Sequence, residues 1–304
     1  MNKAYLTSIA YVLGEQEHHY REAASFETVC RQYAMPDMAA VFGWGHYRRT
    51  EGTLTALAVE SARRTLEQSG LKGSDIDAVV LCSSNFQSGL GQVPPYMTLL
   101  RELELERAFP IGVTWGDCTM LLAGLDIARA QVLAGLDNVL VLSVNRIEDE
   151  AYRFQHYALF SDGAASCLVT SRRGAGFEML ASQSLSGRES REGEKDADDA
   201  ALYAQTHERL LRRQQLRTED LEQVLCSNVF LPVLKIKEGR LGVSASQLYL
   251  DNVARLGHCF AADSLINLQD YQARSVDGRA GLLMLTANAT GLRSQLLLQR
   301  VLEA

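Results

Sequence analysis

Two hydrophobic patterns alternate along the chain. Continuous apolar runs at 78–84 and 138–144 read as strands covered on both faces. Residues 53–69 and 118–134 carry apolar positions at helical spacing. Strands alternating with helices predict an α/β layered fold with largely parallel sheets. The opening MNKAYLTSIAYVLGEQEHH has a single Lys and a short apolar stretch, and reads as a first strand rather than a secretion signal. No apolar run approaches the length that spans a bilayer.

The pattern occurs twice. LEQSGLKGSDIDAVVLCSSN (66–85) is matched by LLRRQQLRTEDLEQVLCSN (210–228): the end of an amphipathic helix, a turn, an acidic approach and an apolar strand ending in Cys-Ser. GDCTMLLAGL (116–125) is matched by GHCFAADSLI (257–266), and NVLVLSVN (138–145) by GLLMLTAN (281–288). The three matches share one order and one spacing of roughly 140 residues. They predict two fused α/β halves, 1–172 and 173–304, related by a pseudo-twofold. The charged stretch SGRESREGEKDADD (186–199) reads as a solvated connection between them.

A chain of 304 residues, 47% hydrophobic and 22% charged, can bury a substantial core. Its net charge of -7 argues against a dedicated nucleic-acid binder. The six cysteines (Cys30, Cys82, Cys118, Cys167, Cys226, Cys259) show no CxxC pair and no Cys/His ligand spacing, so neither a zinc site nor a disulfide framework is expected. Most are expected to be buried, inert thiols in a cytoplasmic protein.

The repeat pairs Cys118 with Cys259, each opening a helix after a glycine turn, with the two helix starts facing each other. Asp117 in one half stands where His258 stands in the other. A cysteine in the first turn of a helix meets unpaired N–H groups and the positive end of the helix dipole, and an imidazole beside it favours the thiolate further. The helix after Cys118 is apolar enough to be buried at the molecule's centre. Two readings of Cys118 stand on this ground alone, a nucleophile and a buried structural thiol.

Cys118 with its surroundings, followed by FSDGAASCLV (160–169), resembles the β-ketoacyl-ACP synthase III family of the thiolase superfamily. There the nucleophilic Cys caps a buried central helix and a Phe-Gly-Asp-Gly-Ala segment follows; here the segment is Phe160-Ser161-Asp162-Gly163-Ala164. GHYRR (45–49) stands loosely where the family has Gly-Ile-Arg-Glu-Arg. The resemblance covers almost the whole chain and implies a thiolase-like fold, two duplicated α/β halves packed as αβαβα layers.

The departures bear on the reaction. The family's His-Gln-Ala-Asn run is replaced by Ser227-Asn228-Val229-Phe230, and its Gly-Asn-Thr-Ser run by Gly257-His258-Cys259-Phe260. The glycine-rich oxyanion loop is reduced to Asn288-Ala289-Thr290-Gly291, with Gly291 matching its last glycine. Decarboxylative condensation needs two donors for the enolate, and His258 with Asn228 is not the usual pair. Acyl transfer to an alcohol or amine needs a nucleophile, an oxyanion hole and a base. Cys118, the N–H groups of Cys118 and Gly291, and His258 would supply these. Asp263, five residues after His258 on the same predicted helix, either orients the imidazole or makes an ordinary polar contact.

The resemblance thus implies an acyltransferase that takes an acyl group from an acyl-carrier-protein or coenzyme A thioester onto Cys118 and passes it to a small-molecule or carrier-bound acceptor, with no further cofactor. Alternatives are a carbon–carbon condensing synthase with a modified site and a silent partner subunit of an active homologue. A homodimer with sheets joined across the interface is implied as well. Lys235, Lys237 and Arg240 cluster in LKIKEGRLG (234–242), either a carrier-docking patch or a solvated helix face. The family's coenzyme-contacting aromatic and Arg are not matched near Val41–Trp44, which favours a carrier-bound donor. His46, His156 and His207 read as surface or packing residues in polar surroundings, His18 and His19 as a loop pair, and Glu148, Asp149 and Glu150 as a solvated loop. Asp162 reads as holding a turn, and Trp115 as a core aromatic or a tunnel wall.

Overall fold

The computed structural model describes residues 2–85, 93–187, 197–274 and 281–301. Its strands are β1 (Tyr5–Leu13), β2 (Gln16–His19), β3 (His46–Arg49), β4 (Ala78–Cys82), β5 (Phe109–Val113), β6 (Asn138–Asn145), β7 (Gly163–Thr170), β8 (Gly176–Ser186), β9 (Gln223–Cys226), β10 (Leu248–Tyr249), β11 (Leu282–Ala289) and β12 (Leu292–Val301). Its helices are α1 (Phe26–Gln32), α2 (Ala39–Phe42), α3 (Leu54–Ser69), α4 (Pro95–Glu102), α5 (Met120–Leu133), α6 (Ala197–Arg213), α7 (Leu231–Gly239), α8 (Asp251–Leu256) and α9 (Asp263–Arg274).

The duplication read in the sequence is built into the sheet. Its strand order is β10-β9-β11-β12-β8-β1-β7-β6-β4-β5, a palindrome in which each strand of one half has its counterpart at the mirrored position. The halves meet where β1 and β8 pair antiparallel through Tyr5–Glu178 and Leu6–Phe177. The repeat extends to local turns: a 3-10 turn precedes β4 and another precedes β9. In one, Lys72 N–H donates to Asp75 Oδ2 (2.9 Å); in the other, Arg217 N–H donates to Asp220 Oδ2 (2.8 Å). These are the acidic approaches shared by the two sequence copies. We propose the limit of the halves at 172/173, between β7 and β8. The charged stretch 186–199 then falls inside the second half, between β8 and α6, and its residues 188–196 lie outside the described residues.

The sheet is mixed rather than largely parallel. β4 runs parallel to β5 and β6, and β9 to β10 and β11, but β7 and β12 return antiparallel. No α-helix separates β6 from β7, and only Thr290-Gly291 separates β11 from β12. Without a crossover helix a strand can pair with its predecessor only in the antiparallel sense.

Helices α5 and α9 form the central layer. Leu121, Leu125 and Ala128 of α5 and Leu265, Ile266 and Leu268 of α9 share one core with Val80, Val141 and Val169 from one half and Leu225, Leu285 and Leu298 from the other. α3 and α4 cover the outer face of the first half, and α6 and α7 that of the second. The layers are therefore αβαβα, with the openings of both central helices at the middle of the molecule. Among the described residues no helix is long and apolar enough to cross a membrane.

Candidate active site

Cys118 sits in a 3-10 turn, Asp117–Thr119, that leads directly into α5. The chain enters through Gly116 (φ 119°) and Asp117 (φ 45°), both left-handed. A Cβ at Gly116 would also come within 2.9 Å of Thr119 Oγ1, so glycine is required there. Thr119 N–H to Gly116 O (2.8 Å) is the first bond of the turn. The N–H groups of Asp117 and Cys118 precede it and have no backbone hydrogen bond among the described residues, beside the half-buried thiol.

His258 arrives from the other half, and not on a helix. α8 ends at Gly257 (φ 67°), where a Cβ would lie 2.6 Å from Leu159 O. His258 then bridges Phe160 in parallel: its N–H donates to Leu159 O (2.7 Å) and its carbonyl accepts from Ser161 N (2.9 Å). Asp263 opens α9 only after a second 3-10 turn. The single helix expected to carry both residues is thus replaced by an extended bridge and a turn, because Gly257 and Phe260 (φ 54°) take left-handed conformations. That extended stretch carries the imidazole to the thiol: His258 Nε2 lies 3.1 Å from Cys118 Sγ.

Asp263 completes a buried line. Its Oδ2 accepts from His258 Nδ1 in a short contact and from Asn228 N (2.6 Å); its Oδ1 accepts from Cys259 N (2.7 Å) and Asn228 Nδ2 (3.2 Å). His258, Asp263 and Asn228 are all essentially inaccessible to solvent. Asn228 also donates to Gly257 O (3.0 Å), and its Oδ1 accepts from Asn267 Nδ2 (2.9 Å). Both amide protons of Asn228 are therefore committed behind the imidazole, away from Cys118. Asn267 escaped the sequence reading, although it lies one helical turn after Asp263, the spacing that puts both on one face.

Burial works against a charge on His258, but the negative charges of Cys118 and Asp263 and their hydrogen bonds more than offset it and raise the imidazole to about 10. The imidazole is therefore held as the imidazolium beside the Cys118 sulfur. Cys259, the pseudo-equivalent thiol, is buried; burial and then the Asp263 charge push it well above its usual value, so it remains an inert thiol.

The Phe160–Ala164 segment is the platform for this geometry. Asp162 is buried, pairs with Arg153 Nη1 (2.6 Å) and accepts from Thr50 N (2.9 Å) and Ile147 N (3.0 Å), a purely structural set. Ser161, where the sequence departs from the resembled glycine, uses its hydroxyl to tie β3 to α8, accepting from Arg48 N (2.8 Å) and donating to Leu256 O. That link fixes the chain immediately before His258.

The remaining candidates lie elsewhere. Gly291 (φ 66°) is in the β11–β12 hairpin turn, and its carbonyl accepts from Gly187 N (2.8 Å). β11 and β12 both pack against the Cys118 turn. Lys235 and Arg240 are exposed on and just after α7, whereas Lys237 is partly buried, donating to the Tyr203 hydroxyl (3.1 Å) and lying over its ring. Trp115 is neither core nor tunnel wall: it is 92% exposed, just ahead of the left-handed Gly116. His18 and His19 belong to β2, paired with Tyr47 and His46 of β3, rather than to a loop. His207 is buried between Thr218 and Gln295 and is pushed down to about 4 by burial and by Arg293. Glu150 is not simply solvated; it holds the buried Arg153.

No family model matches the chain. Over 132 residues it is 31% identical to β-ketoacyl-[acyl-carrier-protein] synthase III 1 of Streptomyces coelicolor and 30% identical to the protein of that name from Streptomyces avermitilis. The match covers 41% of this chain and only 36% and 35% of those relatives' lengths. Among solved structures, the acyltransferase ChlB3 superposes with a TM-score of 0.83 at 16% identity over 99% of both chains. The 3-oxoacyl-[acyl-carrier-protein] synthase III of Aquifex aeolicus gives 0.75 at 18% identity over 98% of this chain and 100% of its own. Cerulenin-bound OleA of Xanthomonas campestris gives 0.77 at 13% identity over 98% and 97%. The chain thus shares the fold of these acyltransferase and 3-oxoacyl-[acyl-carrier-protein] synthase III structures over its full length, and is similar in sequence to β-ketoacyl-[acyl-carrier-protein] synthase III over part of it.

Proposed function

We propose that the protein is a ping-pong acyltransferase in which Cys118 is the nucleophile, His258 the proton carrier and Asp263 the group that orients it. The observation that carries this reading is the continuous line Cys118–His258–Asp263, with 3.1 Å between thiol and imidazole. The Cys118 thiolate attacks the thioester carbonyl of a carrier-protein or coenzyme A donor. The new carbon–sulfur bond replaces the old one, and the departing thiolate takes the proton of the His258 imidazolium. Acylation removes the negative charge on Cys118, one of the two that hold the proton on His258. The imidazole is then neutral and basic when the acceptor arrives. It takes the acceptor's proton as the hydroxyl or amine attacks, and Cys118 leaves as the thiolate, which restores the starting pair. The open N–H of Cys118, with that of Gly291, is proposed to hold the oxyanion in both steps.

Oxygen or nitrogen acylation is favoured over decarboxylative condensation because the amide protons of Asn228 are occupied by Asp263 and Gly257, leaving no second side-chain donor of the resembled kind for an enolate. The assembled line also argues against a silent subunit. Intact-protein mass spectrometry tests the reading. Incubation with an acyl thioester adds one acyl mass to the wild type and none to Cys118→Ala; a label that survives in the variant overturns it.

A further inference from the structure

Behind Asp263 the hydrogen bonds continue through three buried amides towards the protein surface. Asn228 Nδ2 donates to Asp263 Oδ1 and Gly257 O, and its Oδ1 accepts from Asn267 Nδ2 (2.9 Å). The second proton of Asn267 Nδ2 goes to Cys226 O (2.8 Å), and Asn267 Oδ1 accepts from Asn252 Nδ2 (2.8 Å). Asn252 Nδ2 also donates to Asp270 Oδ2 (2.9 Å), while Asn252 Oδ1 accepts from Arg255 Nε (3.0 Å) and Nη2 (2.7 Å). Asn252 and Asn267 are fully buried. The Arg255 side chain is 43% exposed and pairs with Asp270, which also accepts from the Tyr11 hydroxyl (3.0 Å).

The two charged ends give this chain of amides a direction. Arg255 can only donate and an ionised Asp270 can only accept, so the amide of Asn252 has one orientation. Asn252 then presents an N–H to Asn267, and Asn267 presents one to Asn228 Oδ1. Asn228 keeps both of its own protons for Gly257 O and Asp263. The same bonds clamp together the segments that carry the site: α8, which leads into His258, the end of β9, which leads into Asn228, and α9. On α9, Asp263, Asn267 and Asp270 share one face by helical spacing. Resting on the acyl-transfer reading above, we infer that Asn252 and Asn267 are positioning residues, which act through Asn228 to hold the Asp263 carboxylate against His258 Nδ1.

Asn267→Leu and Asn252→Leu, both close to isosteric, cut the relay at two points. Asn252→Leu touches neither Asn228 nor Asp263 and leaves Asp270 paired with Arg255 and Tyr11, so Asn267 Oδ1 alone loses its buried donor and the fold is kept. The His258 titration is followed by ring-selective NMR, and acylation of Cys118 by hexanoyl-coenzyme A by intact mass. The charges that face His258 are those of Cys118 and Asp263, and the Phe160 and Phe260 rings beside it carry none. A loosened Asp263 is therefore expected to lower the midpoint by about one pH unit and to slow maximal acylation about tenfold. The half-saturating thioester concentration is expected to stay within about twofold of wild type. Lower resistance to denaturant with wild-type midpoint and acylation rate overturns the inference, because the amides would then serve folding alone. A shift in Asn267→Leu without one in Asn252→Leu also overturns the relay and makes Asn267 a local brace. A wild type that takes no acyl mass overturns the acyl-transfer reading, while the His258 midpoints still decide the relay.

Discussion

Asn228 donates its backbone N–H to Asp263 Oδ2 at 2.6 Å and its side-chain amide to Oδ1 at 3.2 Å, so it braces the carboxylate rather than facing the thiol. Asp263→Asn, of nearly the same shape, would then lose the charge that steadies His258 and favour the wrong tautomer. Steady-state assay is expected to show turnover lower by about a thousandfold or more, with the fold intact by circular dichroism. Asn228→Ala leaves Asp263 and Asn267 short of partners in a buried site and is expected to cost about 1–3 kcal/mol by denaturant titration.

His258→Ala separates the two half-reactions. Acylation of Cys118 is expected to continue slowly, driven by the open N–H groups of its turn, while transfer to the acceptor stops. Single-turnover mass spectrometry would show the adduct accumulating and persisting. Near-normal turnover would move the base to another residue.

The Cys118–His258 pair sets a direction in pH. The imidazole is raised above its ordinary 6.5, so protonated His258 is retained from neutral pH up to about 10, and acylation is expected to fall as pH rises through that value. In Cys118→Ala one of the two supporting charges is gone and burial still opposes the proton, so the His258 titration moves down. Ring-selective NMR titration of the two proteins reads this directly; an unmoved midpoint contradicts the pairing.

The basic cluster on and just after α7, read from the sequence as a carrier-docking patch or a solvated face, is not uniform. Lys235 and Arg240 are exposed, and Ile236 beside them is 56% exposed, whereas Lys237 is held by Tyr203. Charge reversal at Lys235 and Arg240 is expected to slow acylation from a carrier-bound donor about tenfold and leave that from a small thioester unchanged. Equal effects on both donors would remove the docking role. Trp44, in the segment where a coenzyme-contacting aromatic would stand, is 4% exposed and packed against Phe26, Phe42 and Phe154. The carrier form is therefore expected to be the better donor.

β5 ends the sheet with its outer edge unpaired among the described residues, and Phe109 on it is 71% exposed. An open edge is a template for a second copy, in keeping with the homodimer that the sequence resemblance implies. Sedimentation at micromolar concentration is expected to give a dimer for the wild type and a monomer for Phe109→Glu. A monomeric wild type contradicts the assembly.

The duplicated halves, the covered strands and the pairing of Cys118 with the His258 region were legible in the amino-acid order. Hydrophobic period and turn chemistry are local properties, and a long-range repeat carries them twice. The same order could not say how residues far apart along the chain would meet. Asp162 was legible as a turn residue because its surroundings are local, but the placing of His258 on a bridge to Phe160 depended on Gly257 packing against Leu159. The 92% exposure of Trp115 is a property of the folded chain that no apolar pattern reports. The turning of Asn228 away from the thiol followed from a buried network drawn from β9, α8 and α9 and the segments beside them. Sequence pattern determined which faces are buried and where the chain changes direction. Only the packing of one half on the other decided which donors point at Cys118, because a side chain's partners are set by the shape of the closed interior.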